Sequence, residues 1–185
     1  MTIIVGYKDQ GKVWMGCDSC ATDGDGNIMT LKQQKIFKLN NQMLIGHTGG
    51  IRGRQIIEHN EWLLPYDKEN HDGEDPLMQY LCTFFIDALN ELFKDLDYSK
   101  EKIERDQYLI GIEGRLFIID GAMQVIEFDS DYSAIGCGTN YALGSLYTSK
   151  LIYGNIPMKS VIMQALETAC KFDNACSKPF HIMSI

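Results

Sequence analysis

Apolar and polar positions alternate between two kinds of pattern along this chain. Residues 2–7 (TIIVGY) are apolar and β-branched, KDQGK follows with turn chemistry, and VWMGCD at 13–18 resumes the run. That predicts a hairpin. A Gly/Asp loop, TDGDGN at 22–27, precedes a second pair, KIFKL at 35–39 and MLIGH at 43–47, with Asn40 and Asn41 at the turn. After TGG the period changes. Residues 51–64 predict a helix with Ile51, Ile56, Ile57, Leu63 and Leu64 facing inward. The polar stretch PYDKENHDGEDP at 65–76 predicts a solvated loop. A second helix follows over 76–96, where Leu77, Leu81, Phe84, Phe85, Leu89, Leu92, Phe93 and Leu96 keep three-four spacing.

Strand patterns return at 107–112, 115–120 and 123–128, with Glu113-Gly114 and Asp120-Gly121 at the turns. SAIGCGTNYALGSLY (133–147) runs from a short strand through a glycine turn into a helix. Residues 157–173 form another helix with Pro157 at its start, and KPFHIMSI closes the chain as a strand. The order is strands, two helices, strands, two helices, strand. Hairpin connections imply mainly antiparallel sheets, and paired helices imply a helical layer over each sheet. The expected fold is α+β, a single domain over 1–185 with four layers, α/β/β/α.

Composition narrows the functions. Seventeen basic against twenty-five acidic residues leave a net charge of −8, which disfavours nucleic acid or an anionic membrane as a partner, since both need a basic face. No apolar run reaches the length of a membrane span, and no export signal is visible, so a cytoplasmic location is expected. The six cysteines are then expected as free thiols.

Chemistry offers few local signals. CDSC (Cys17–Cys20) has the C-x-x-C spacing, but it lacks a strand-to-helix context, and Cys170 and Cys176 are spaced too far apart for the matching half of a zinc site. Small core cysteines are the simpler reading, and neither metal nor cofactor is expected. GCG (136–138) and GHTGG (46–50) lack phosphate-loop spacing. They are ordinary glycine turns, or turns that present bare backbone N–H groups to an oxyanion. Thr2 stands directly behind Met1. With Met1 removed, one residue would carry both a hydroxyl nucleophile and an α-amine of pKa about 7.7–8.0 to act as its base. Alone, Thr2 reads as an ordinary strand start.

Together the motifs resemble a family. T-I-I-V-G, then G-x-V-W-M-G-C-D-S-x-A-T, K-I-F-K-L, G-H-T-G-G and A-I-G-C-G-T-N-Y-A occur in the order found in proteasome β-subunits, and the chain is similar to their HslV-type peptidases. The resemblance runs from Thr2 to about Ile182. It implies an N-terminal-nucleophile hydrolase, a threonine-type endopeptidase that cleaves unfolded polypeptides. It further implies homo-oligomeric stacked rings, of six or seven subunits in the HslV case, and a separate ATP-dependent unfoldase. Thr2 matches the nucleophile, Asp18 and Lys35 the aspartate–lysine pair, and Gly49 the oxyanion-binding glycine, with Gly50 beside it. An ammonium near the amine would lower the amine's pKa, because two like charges about 4 Å apart in a partly screened site repel by about 4 kcal/mol.

Two positions depart from the pattern. Cys137 stands where family members commonly carry serine beside the threonine amine. In the Asp-x-x-Ser pair of proteasome subunits, Asp173 matches the aspartate and Cys176 replaces the serine, a place where HslV-type chains vary. Cysteine is a weak donor, so the network around the amine changes. Two other readings remain: a catalytically weak or inactive ring scaffold, and a small-molecule amidase of the same nucleophile class.

Overall fold

A computed structural model describes residues 2–23, 25–60, 63, 65–152 and 156–185. Strands β1 (Ile3–Asp9) and β2 (Lys12–Cys17) form the first hairpin. Strands β10 (Tyr132–Gly136) and β11 (His181–Ser184) flank it, in the order β10-β1-β2-β11. The second sheet has the order β5-β6-β7-β8-β9, from β5 (Ile36–Leu39), β6 (Met43–Thr48), β7 (Gln107–Ile112), β8 (Arg115–Ile119) and β9 (Val125–Glu127). All these pairings are antiparallel.

Both faces of each sheet are covered. This explains why β1 and β6 read as continuous apolar runs and not as alternating ones, since neither face meets water. Ile4 turns inward with Val13, Met15 and Cys17 to meet Leu44, Leu109 and Leu116 between the sheets. Ile3 and Val5 point the other way, into a cluster with helices α5 (Thr139–Ile152) and α6 (Met158–Phe172). On the outer face of the second sheet, Ile45, Ile110 and Phe117 pack beneath α1 (Ile51–Glu58), α2 (Pro76–Tyr80) and α3 (Ile86–Asp95). The layers are therefore α/β/β/α.

The structure corrects several details. Helix α1 stops at Glu58, where the Asn60 side-chain amide donates to the Ile56 carbonyl at 2.6 Å and satisfies an end group. Ile51, at its first turn, is 50% exposed, while Ile56, Ile57 and Leu63 are buried as expected; Leu64 lies outside the described residues. The helix expected over 76–96 is broken by a π turn, Leu81–Phe85, between α2 and α3. The extra residue rotates the apolar stripe, so Phe84 is 54% exposed instead of buried, and Leu96 lies past the last turn, 39% exposed.

The loop at 65–76 is not simply solvated. It buries Tyr66 and His71, and the His71 ring stacks on Tyr66 and meets Phe84 edge-on at 4.7 Å. Three short elements had no sequence signal: the ribbon β3 (Cys20–Thr22) with β4 (Ile28–Thr30), and α4 (Lys100–Ile103). Strand β9 begins at Val125, two residues late. Asp120 Oδ1 accepts from the N–H groups of Ala122 and Gln124, which holds 120–124 as a turn with Met123 at φ 60°.

Candidate active site

Thr2 is buried, 7% exposed, at the entrance to β1. Its carbonyl accepts from Cys137 N–H at 2.9 Å, and its nitrogen donates to Cys137 Sγ at 3.2 Å. Gly136 (φ 104°) lets the GCG turn lie this close, because a Cβ there would run into the Thr2 carbonyl.

Asp18 follows directly on β2, where antiparallel pairing brings it alongside the start of β1. Its N–H donates to Ile3 O at 3.2 Å, and its Oδ1 accepts from Ile3 N–H at 3.0 Å. The same oxygen accepts from Lys35 Nζ at 2.7 Å, an ion pair whose side chains are 6% and 0% exposed. Oδ2 accepts from the N–H groups of Cys20, at 2.9 Å, and Ser177, at 3.2 Å. Four donors thus compensate this fully buried carboxylate, which a buried charge requires. Lys35 comes from the other sheet, just before β5. One carboxylate oxygen therefore holds both the Lys35 ammonium and the N–H of the residue after Thr2, and ties the two sheets together at this edge.

The glycine turn between β6 and α1 has its own anchor. Gly49 has φ 126°, and a Cβ on it would collide with Asp106 Oδ1. Asp106, fully buried, accepts from Gly50 N–H at 3.0 Å, Tyr98 Oη at 2.9 Å and Tyr108 Oη at 3.2 Å, and His47 Nε2 stands 3.4 Å away. Burial first, then the Asp106 charge, push both phenols far above their ordinary range, so they remain donors. Asp106, Tyr98 and Tyr108 were not singled out in the sequence, and His47 figured there only as part of the GHTGG motif. No local pattern marks Asp106 or the two tyrosines, and the fold alone brings Asp106 to a residue 56 positions away.

A cleft at this edge is lined by Thr2, Lys35 and Gly49, together with Cys20, Ala21, Thr22, Leu31, His47, Ile51 and Arg54. The structure thus brings Thr2, Asp18, Lys35 and Gly49 to one place. Cys137 and Asp173 lie beside it with Cys176, their ligating atoms within 4.8 Å of one another. Contact with Cys176 and then burial push the Cys137 thiol well above its ordinary value. For Cys176, contact with Cys137 pulls the thiol down, but Cys170 and burial outweigh it and push the group up to about 12. Cys17 and Cys20 are both fully buried, and burial pushes Cys17 up to about 11. All six cysteines are free thiols.

No family model matches the chain. It is 27% identical over 175 residues to the ATP-dependent protease subunit HslV of Thermoanaerobacter sp. (strain X514), covering 92% of this chain and 90% of that protein. The same-named subunit of Thermoanaerobacter pseudethanolicus gives equal figures. Among solved structures, Thiobacillus denitrificans BPH in complex with epoxomicin has a TM-score of 0.78 at 19% identity, over 100% of this chain and 98% of that one. Trypanosoma brucei HslV has a TM-score of 0.71 at 18% identity, over 99% and 98%.

The α/β/β/α architecture is the fold of these solved structures. In sequence and in fold the chain is thus similar to HslV-type protease subunits.

Proposed function

We propose that this chain is a threonine-type endopeptidase subunit with Thr2, exposed by removal of Met1, as nucleophile. The observation that carries the reading is the buried Lys35–Asp18 pair, hydrogen-bonded to the backbone of the residue next to Thr2. An apolar or neutral pair would serve packing at least as well, so a buried ammonium here calls for a chemical reason.

In the proposed reaction the Thr2 hydroxyl oxygen attacks a peptide carbonyl, and the α-amine takes the hydroxyl proton. The Lys35 charge disfavours protonation of that amine and keeps it a base near neutral pH. Gly49 N–H donates to the tetrahedral oxyanion, while Asp106 holds the neighbouring N–H and fixes the turn. The amine then passes its proton to the leaving amine, and water hydrolyses the resulting ester. Cys137 sits within hydrogen-bond reach of the nitrogen in place of the commoner serine.

The HslV relatives are named subunits of an ATP-dependent protease. By analogy, copies of this chain would assemble into stacked homo-oligomeric rings that admit only unfolded polypeptide, fed by a separate ATP-driven unfoldase. A cytoplasmic setting fits this reading; among the described residues no helix is long and apolar enough to cross a membrane. The test is hydrolysis of a fluorogenic peptide by the purified protein. We expect activity in the wild type, none in Thr2→Ala, and a loss of two or more orders of magnitude in Lys35→Met. Full activity in Thr2→Ala would sink the proposal.

A further inference from the structure

Cys17 and Cys20, the C-x-x-C pair visible in the sequence, are buried in the core, but the fold assembles a different set of ligating atoms. Cys137 from the GCG turn, Asp173 at the C-terminal end of α6 and Cys176 three residues later bring two Sγ atoms and a carboxylate oxygen within 4.8 Å of one another. We propose that these three side chains form a binding site for a thiophilic divalent metal ion of the zinc class, at the nitrogen of Thr2.

The donor set selects that class, since two thiolates and one carboxylate suit zinc and not magnesium or calcium. The spacing suits it as well. With Zn–S bonds of about 2.3 Å, two sulfurs on a tetrahedron lie about 3.8 Å apart, compatible with ligating atoms that all lie within 4.8 Å of one another. The carboxylate is already oriented, because Asp173 Oδ1 accepts from Ala175 N–H at 2.8 Å, the kind of supporting bond metal ligands usually have. Cys176 is held on the other side. Ser177 N–H is anchored on Asp18, and the backbone of Gly138 lies so close that a Cβ there would come within 3.0 Å of Cys176 Sγ. The site also has a floor and an opening: Cys176 is buried, Asp173 partly so, and Cys137 is exposed. An ion can therefore enter from the Cys137 side.

Three protein ligands leave a fourth position. Thr2 N lies 3.2 Å from Cys137 Sγ. Once Met1 is removed, as the proposed function requires, that nitrogen is an amine able to complete the tetrahedron. Binding then releases one proton from each thiol to solvent and involves no redox change. The metal takes the lone pair that would otherwise accept the Thr2 hydroxyl proton, so zinc is a reversible inhibitor of this subunit. A chain with serine at both sulfur positions offers no soft donor and lacks the device.

The test is titration of the full-length, reduced protein with Co2+, followed by absorbance. One equivalent should bring up a thiolate-to-cobalt charge-transfer band and tetrahedral d–d bands, and Zn2+ should displace both. Cys137→Ser and Cys176→Ser should each lose the charge-transfer band, and Cys82→Ser should keep it. Thr2→Ala, which cannot hydrolyse peptide under the proposed function, should still show it, so cobalt binding is read independently of catalysis. In the active protein, Zn2+ should abolish peptide hydrolysis, EDTA should restore it, and Cys176→Ser should be insensitive. An absent band in the wild type, or an unchanged one in the Cys137→Ser/Cys176→Ser double variant, overturns the site and leaves the peptidase reading standing. Bands as expected from a protein without peptidase activity would uphold the site and count against the function.

Discussion

At the scale of single residues, charge and backbone geometry set the expected effects of substitution. Removing Lys35 leaves Asp18 a buried carboxylate with three backbone donors but no counter-ion, so Lys35→Met should cost about 3–5 kcal/mol of stability in addition to its effect on catalysis, measurable by urea unfolding. Gly49→Ala demands an unfavourable φ and a place already held by Asp106, so both stability and turnover should fall. Asp106→Ala leaves the Gly50 N–H and two buried phenols without their acceptor. We predict that it reduces turnover through the displaced turn while Thr2 stays intact. Thr2, Asp18, Lys35 and Gly49, which the structure brings to one edge, were legible in the sequence because each sits in a short motif that carries the family resemblance. Asp106 was not legible: an acidic residue before a strand looks like any other until the glycine turn is folded onto it.

At the scale of elements, hairpins were the most readable feature, because turn residues and apolar runs sit side by side in the chain. Features set by distant contacts were hidden. The π turn at Leu81–Phe85 and the stacking of His71 on Tyr66 depend on partners that periodicity does not report. The start of α2 illustrates one such contact. Asp75 accepts from Met78 N–H at 3.0 Å as its N-cap and pairs through both oxygens with Arg115 of β8 at 2.7 Å. Hydrogen bonding to Arg115, then to Met78 N–H, lowers its carboxyl to about 2 from 3.8. A depressed folded-state pKa means that this stabilisation is fully present above pH about 4 and is lost as pH falls through about 2. The side chain is 43% exposed, so water screens the ion pair and the N-cap is the larger contribution. Asp75→Ala should cost about 1 kcal/mol at neutral pH, and the difference from wild type should shrink in acid. Thermal unfolding at pH 7 and pH 2 checks this.

At the scale of the whole molecule, the four layers follow from burial on both faces of each sheet, while assembly depends on the outer helices. Tyr147, Leu151 and Ile152 on α5 and Phe172 on α6 are 58–67% exposed. Large apolar side chains left outside on adjacent helices are the kind of surface that subunit contacts cover. Native mass spectrometry should accordingly find an oligomer of this chain, and Leu151→Asp should shift it toward smaller species.

Every part of this account meets at the nitrogen of Thr2, which must be a free amine for the cleft to work as a peptidase. The direct measurement is the intact mass of the purified protein before and after treatment with an epoxyketone or β-lactone that reacts with N-terminal threonine. The account predicts a mass lacking Met1 and a single adduct that maps to Thr2 and is absent from Thr2→Ala. Retained methionine with no adduct would contradict it and leave the ring-scaffold reading in its place.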